Sequence, residues 1–171
     1  MIHIINADHG MIASVLDNLR VDDALELGAC EVNLGYLPET IMRHKVFAFC
    51  AVDPDIGPLA VWGMTQRRSG VGAGFAFGTQ DWGASLLPML RQIREFVIPF
   101  LREAGYHRVE AAALARRDDV ARFMRLIGAE PEALLRGYGS AGEDFISYRW
   151  LRDEYAYDHI QKAEVRSHAT H

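Results

Sequence analysis

The feature that most constrains this chain is a strand, a long helix and a second strand in direct succession within residues 71–114. Val71 to Gly78 alternates by size: Val71, Ala73, Phe75 and Phe77 share one face, and Gly72, Gly74, Ala76 and Gly78 the other. A face without side chains lets a packed backbone or a ligand approach closely. Leu86, Met89, Leu90, Ile93, Phe96, Val97, Phe100 and Leu101 then recur at helical spacing, with Pro88 in the first turn and Gly105 as the C-terminal stop. Pro99 lacks an N–H and predicts a kink or break in the last turns. Arg108 to Leu114 is the returning strand. A helical crossover of this kind joins parallel neighbours, so the two strands pair in parallel, and their ends are expected to splay.

The flanking segments read as antiparallel. Ile2 to Asn6 is a short strand, and Asp8 caps a helix that runs to Leu19. Val21 to Cys30 is a second helix, and Pro38 opens a short third one ending at His44. Val46 to Val52 and Leu59 to Gln66 form a hairpin across the turn from Asp53 to Gly57. After the crossover come a helix from Asp118 to Ile127, stopped by Gly128, and strands at Ala133 to Arg136 and Asp144 to Trp150 around a glycine-rich loop. Phe75, Phe77, Ile93, Phe96, Val109 and Phe123 are the expected core. One α/β domain over residues 1–151, its mixed sheet flanked by helices, and a polar tail over residues 152–171 follow.

Charge and cysteine usage exclude several functions. A net charge of −5 gives no general attraction to nucleic acid, which needs clustered Lys and Arg. No apolar run reaches the roughly 20 residues of a membrane span; Leu86 to Leu101 is broken by Arg91, Arg94 and Glu95. Cys30 and Cys50 have no metal-ligand spacing, and His159, His168 and His171 are irregularly spaced, so no metal is expected. The first residues carry no leader pattern, which points to the cytoplasm.

The order of elements, with Arg122-Phe123-Met124-Arg125-Leu126-Ile127-Gly128-Ala129-Glu130 and Leu134-Leu135-Arg136-Gly137-Tyr138-Gly139, resembles the GNAT fold of N-acetyltransferases. Four further pieces look most like phage-encoded GNAT-like proteins, the group containing internal virion proteins of short-tailed phages. They are Asn18-Leu19-Arg20 with Asp23 and Glu26, Phe77-Gly78-Thr79, His107-Arg108-Val109-Glu110, and Gly142-Glu143-Asp144-Phe145. The resemblance implies a GNAT-like sheet, mostly antiparallel with one splayed parallel pair. It implies a protein of virion structure or assembly that works through protein contacts, located in the host cytoplasm or the virion. The alternatives are an acetyl-CoA-dependent N-acetyltransferase acting on a small amine or a protein N-terminus, and a sensor that binds CoA without turnover.

The resemblance also places the expected sites. The CoA pyrophosphate loop corresponds to Gln80-Asp81-Trp82-Gly83-Ala84-Ser85, with Gln80, Gly83, Ala84 and Ser85 as its expected binding positions; it keeps Gln80 and Gly83, Ser85 stands where a smaller residue is expected, and Asp81 sets a carboxylate beside the phosphate position. Backbone N–H groups of Phe77, Gly78 and Thr79 would polarise the thioester carbonyl. Met124 falls where a proton-donating Tyr is expected and Arg117 where an Asn is; a thioether donates no proton. From the residues themselves, Glu110 is either a general base or a surface carboxylate, and Tyr138 either a substitute acid or turn packing. Asp22 and Glu26, four apart on a helix, either bind a cationic amine or face solvent. Trp82 either stacks on adenine or anchors the core. A cleft filled by Trp82, Met124 or Arg117 would favour the non-enzymatic readings.

Overall fold

The computed structural model describes residues 1–153, so all but the first two residues of the expected tail lie outside the described residues. Its centre is a seven-stranded sheet in the order β1-β2-β3-β4-β5-β7-β6. The strands are β1 His3–Asn6, β2 Lys45–Asp53, β3 Gly57–Arg68, β4 Val71–Gly78, β5 Arg108–Leu114, β6 Glu130–Leu135 and β7 Phe145–Leu151. Every neighbouring pair is antiparallel except β4 and β5. That pair is parallel, as the crossover requires, and it is registered only over Val71↔Arg108, Gly72↔Val109 and Ala73↔Glu110. Beyond these residues the strands part.

Helices α1 His9–Asp17, α2 Val21–Ala29 and α3 Leu37–His44 precede β2. Asp8 starts α1 by accepting the Met11 N–H at 2.8 Å. Ile12, Val15, Leu16 and Ile41 of these helices pack on Cys50, Val61 and Phe77. The opposite face of the sheet carries the crossover, where Met89, Ile93, Val97 and Leu101 cover Trp62 and Met64. The crossover comprises α4 Leu86–Gln92, a π-helical turn Ile93–Val97 and α5 Ile98–Glu103. Helix α6 Asp118–Leu126 follows β5.

Several expectations are corrected here. Pro99 does not break the crossover: the helix runs on to Glu103, and the missing N–H is absorbed by the wider π turn just before it, where the Ile98 N–H bonds to the Ile93 carbonyl. That turn keeps every fourth residue, Met89 to Leu101, on the sheet and rotates Phe96 off the stripe. Phe96 is therefore 57% exposed, its ring only touching Phe49 edge-on at 6.1 Å. Of the other expected core residues, Phe77 and Ile93 are buried, whereas Phe75, Val109 and Phe123 are half-buried because they face a cavity described below. Strand β6 begins at Glu130, earlier than the sequence suggests; as an edge strand it tolerates Pro131, with a bulge between Pro131 and Ala133.

Met89→Ala, at a fully buried position of the stripe, is expected to cost about 2 to 5 kcal/mol, whereas Phe96→Ala costs less than about 1 kcal/mol. Urea denaturation of both variants checks the assignment of the helix face.

Candidate functional site

Where β4 and β5 part, the sheet is split by a slit whose lips are small: Gly74 and Ala76 on one side, Ala111 and Ala112 on the other. A cavity of about 410 Å³ runs through it, walled by Phe75 on the α1–α3 side and by Trp62, Trp82, Phe123 and Trp150 on the crossover side. The glycine face of β4 is explained only in part by packing. A Cβ at Gly72 would collide with the Met64 side chain, and one at Gly78 would sit 2.8 Å from Trp82 Cβ. At Gly74 the nearest atom would be Val109 Cγ1 at 3.6 Å, an ordinary contact, and the space above it belongs to the cavity.

Side chains from α2 close the wide end of the slit. The connection from α1 to α2 runs along the tip of β4, with a Leu19↔Thr79 bridge and the Arg20 N–H on the Gly78 carbonyl at 3.0 Å. This places the first turns of α2 over the gap. Asp23 Oδ2 accepts the Gly78 N–H at 2.8 Å, and Glu26 Oε2 accepts the Leu114 N–H at 3.0 Å. Each carboxylate thus takes a backbone donor at the end of one parted strand. Arg117, just after β5, reaches between them: Nη1 lies 3.0 Å from Asp23 and 3.5 Å from Glu26, while Nε and Nη2 donate to Asp119 at 2.9 and 2.8 Å. Arg20 joins the other edge, bonding Asp23 at 2.8 Å and stacking over Trp82 at 4.3 Å.

The electrostatics follow from burial and pairing. Burial alone would lower the Arg117 pKa, but the bonds to Asp119 and the charges of Glu26 and Asp23 outweigh it and raise the pKa further. The Arg117 bond holds the Asp119 carboxyl down at about 2. Burial pushes the Glu26 carboxyl up, against the opposing pull of the Leu114 N–H and Arg117.

The expected pyrophosphate loop, Gln80–Ser85, is a tight 3₁₀ turn. Thr79 caps it, its hydroxyl accepting the Asp81 N–H at 3.3 Å and its carbonyl the Trp82 N–H at 3.1 Å. The Ser85 hydroxyl, fully buried, donates to the Trp82 carbonyl at 2.6 Å. Gly83 alone is open, with nothing within 4 Å of an added Cβ. Of the donors that the resemblance assigns to the thioester, the Gly78 N–H is engaged by Asp23 and the Thr79 N–H by the Leu59 carbonyl at 2.8 Å.

The remaining expected residues scatter. Glu110 lines the cavity but accepts from Arg108 Nε at 2.7 Å, and Arg108 also binds Glu132. Tyr138 is 57% exposed, its ring on Phe145 at 5.2 Å, away from the cavity lining. Asp22 is exposed; the inward acidic pair on α2 is Asp23 and Glu26, three apart rather than four. Met124 and Arg117 both line the cavity. Cys50 is buried and Cys30 exposed, and among the described residues no three His, Cys, Asp or Glu side chains gather to hold a metal. No helix among the described residues is long and apolar enough to cross a membrane. Sequence reasoning missed the closing role of Asp23, Arg20 and Arg117; the signal available was the Arg20, Asp23, Glu26 spacing of three on a single helical edge.

No protein-family model matches the chain, and no curated protein matches it in sequence. Solved structures do match. The ribosomal-protein-S18-alanine N-acetyltransferase of Escherichia coli has 13% identity and a TM-score of 0.66 over 88% of this chain and 94% of that one. An N-acetyltransferase of Staphylococcus aureus has 14% identity and a TM-score of 0.65 over 88% and 98%. The yncA protein of Salmonella typhimurium, solved with its cofactor acetyl-CoA, has 12% identity and a TM-score of 0.62 over 90% and 95%. The chain has the GNAT acetyltransferase fold along essentially its whole described length.

Arg117→Met is expected to destabilise the protein by about 3 to 5 kcal/mol, because it leaves Asp23 and Glu26 inside without a counter-charge. The pH dependence has a definite sign. Glu26, with its folded pKa raised, binds its proton more readily when folded, so its contribution to stability falls as pH rises through the region above its ordinary value. Asp119, held down at about 2, contributes stability that persists until pH falls toward that value. Glu26→Gln is expected to remove the downward slope in a comparison of melting temperatures from pH 4 to 7 (roughly the carboxylate range upward).

Proposed function

We propose that this chain uses the acetyltransferase fold as a scaffold and acts through protein contacts, as a phage-type GNAT-like protein of virion structure or assembly. The observation that carries the reading is the pair of α2 carboxylates on the Gly78 and Leu114 N–H groups, with Arg117 between them. An acetyltransferase would need the donors at the end of β4 free to meet the thioester where charge develops. Here the donors are bonded and the gap is filled by a salt bridge whose side chains are 3% and 4% exposed. The outer face of the closing helix supports the contact role: Val21 and Leu25, one turn apart on α2, are 65% and 48% exposed, and Tyr36 beyond it is 71% exposed.

The second reading is an acetyl-CoA-dependent N-acetyltransferase, favoured by the fold shared with an acetyl-CoA-bound structure. It requires Arg117 and Trp82 to leave the slit. Acetyl-CoA at about 1 mM, near the top of the usual substrate-affinity range, is expected to leave the melting temperature unchanged. A ligand at a hundred times its dissociation constant adds about 2.7 kcal/mol, a readily measured shift. A shift accompanied by acetyl transfer to an amine overturns the scaffold reading.

A further inference from the structure

The structure assigns the cavity behind the closed slit to a neutral, flat aromatic molecule carrying one hydroxyl-sized polar group, with Tyr148 as its hydrogen-bonding anchor. The inference rests on the closed-channel reading above, since the closure is what removes the charged end of a CoA-like ligand from consideration.

Three observations carry it. The first is space that packing does not explain. Met64 and Trp82 account for glycine at positions 72 and 78, but nothing crowds position 74, and the neighbouring Ala76 and Ala112 remain accessible in mid-sheet. Small residues there keep open a void whose walls would otherwise gain contacts by filling it. The walls are rings from both faces of the sheet, and all three tryptophans of the chain are among them. Flat faces on either side of a narrow slit suit a planar aromatic guest.

The second is charge. The ionic groups at the cavity wall are matched within the protein: Arg20 and Arg117 against Asp23, Glu26 and Asp119, and Glu110 against Arg108. An ionic guest would lose its hydration without gaining an unmatched partner. A neutral guest does not.

The third is Tyr148. It lies on β7 directly beside Ala111 of the slit, is 4% exposed and lines the cavity. No hydrogen bond of its hydroxyl is found among the described residues, and the hydroxyl keeps accessible surface rather than being sealed in the packing, so it is free to meet a guest in the cavity. Burial also raises its pKa, so the phenol stays protonated and offers a donor to an acceptor oxygen on the guest.

The test is calorimetry on the full chain with 2-naphthol, with its anionic analogue 2-naphthoate, and with acetyl-CoA. Binding of 2-naphthol is expected, with 2-naphthoate at least tenfold weaker. Tyr148→Phe, which keeps the ring, is expected to weaken 2-naphthol about tenfold, the loss of one hydrogen bond. Ala76→Phe, which plugs the slit, is expected to abolish binding, with an unchanged circular dichroism spectrum confirming that both variants fold. Absence of 2-naphthol binding, equal binding of naphthoate, or indifference to Tyr148→Phe overturns the assignment. The acetyl-CoA titration reads the closure separately: acetyl-CoA binding that 2-naphthol displaces brings down the closed-channel reading, whereas failure of both ligands to bind brings down only the aromatic guest.

Discussion

Two parallel strands that part after three registered residues leave backbone donors at their ends with no ladder to join. A buried donor without a partner costs about 1 to 3 kcal/mol, so something must meet these groups. In this chain the partners are carboxylates of α2, Asp23 at Gly78 and Glu26 at Leu114. Satisfying the donors in this way creates a second problem, because two acidic groups now lie close together and largely out of water. Arg117 resolves it, and Asp119 and Arg20 complete the balance from the rim. The network thus ties α2 to the ends of β4 and β5, the start of α6 to α2, and, through Arg20, α2 to Trp82.

The splay is a property of the topology, imposed by a crossover helix between β4 and β5 and common to any chain with that order. What enters the splay is decided by a few side chains. Buried salt bridges add little net stability, since desolvation offsets most of the attraction, but breaking one from a single side is costly. The network is therefore better described as a lock than as a stabiliser. It resists opening because any single member that leaves strands the others.

The elements of this fold were legible in the sequence where periodicity was unambiguous. Val71 to Gly78 and Arg108 to Leu114 have the bounds expected from alternation, and Gly105 and Gly128 stop their helices with φ of +80° and +79°. Phe96 was misread because a regular 3.6-residue period places it with Ile93 and Val97; the π turn that moves it outward arises from Pro99 and changes the period itself. The inward face of α2 was misread for a related reason. Spacings of three and of four both mark one side of a helix; the sequence reading takes Asp22–Glu26, and only the strand ends that recruit Asp23 select the spacing of three. Tyr148 carried no local signal, since a tyrosine in an alternating strand is ordinary and only the parting of β4 and β5 gives it a cavity to face.

The closing network and the cavity share a wall. Trp82 borders the cavity on one side; on the other it takes Arg20 over its ring, and Arg20 is bonded to Asp23. Phe123 of α6 packs on Trp82 at 6.1 Å, one turn beyond Asp119, which holds Arg117. A guest between these rings would restrain the side chains that keep Arg20 and Arg117 in place, so filling the cavity and closing the slit favour each other. By reciprocity, any partner that grips the outer face of α2 and steadies Asp23 also steadies the guest. Coupling of this kind would need no movement of the sheet, only the contacts of Trp82 with Phe123 and Arg20.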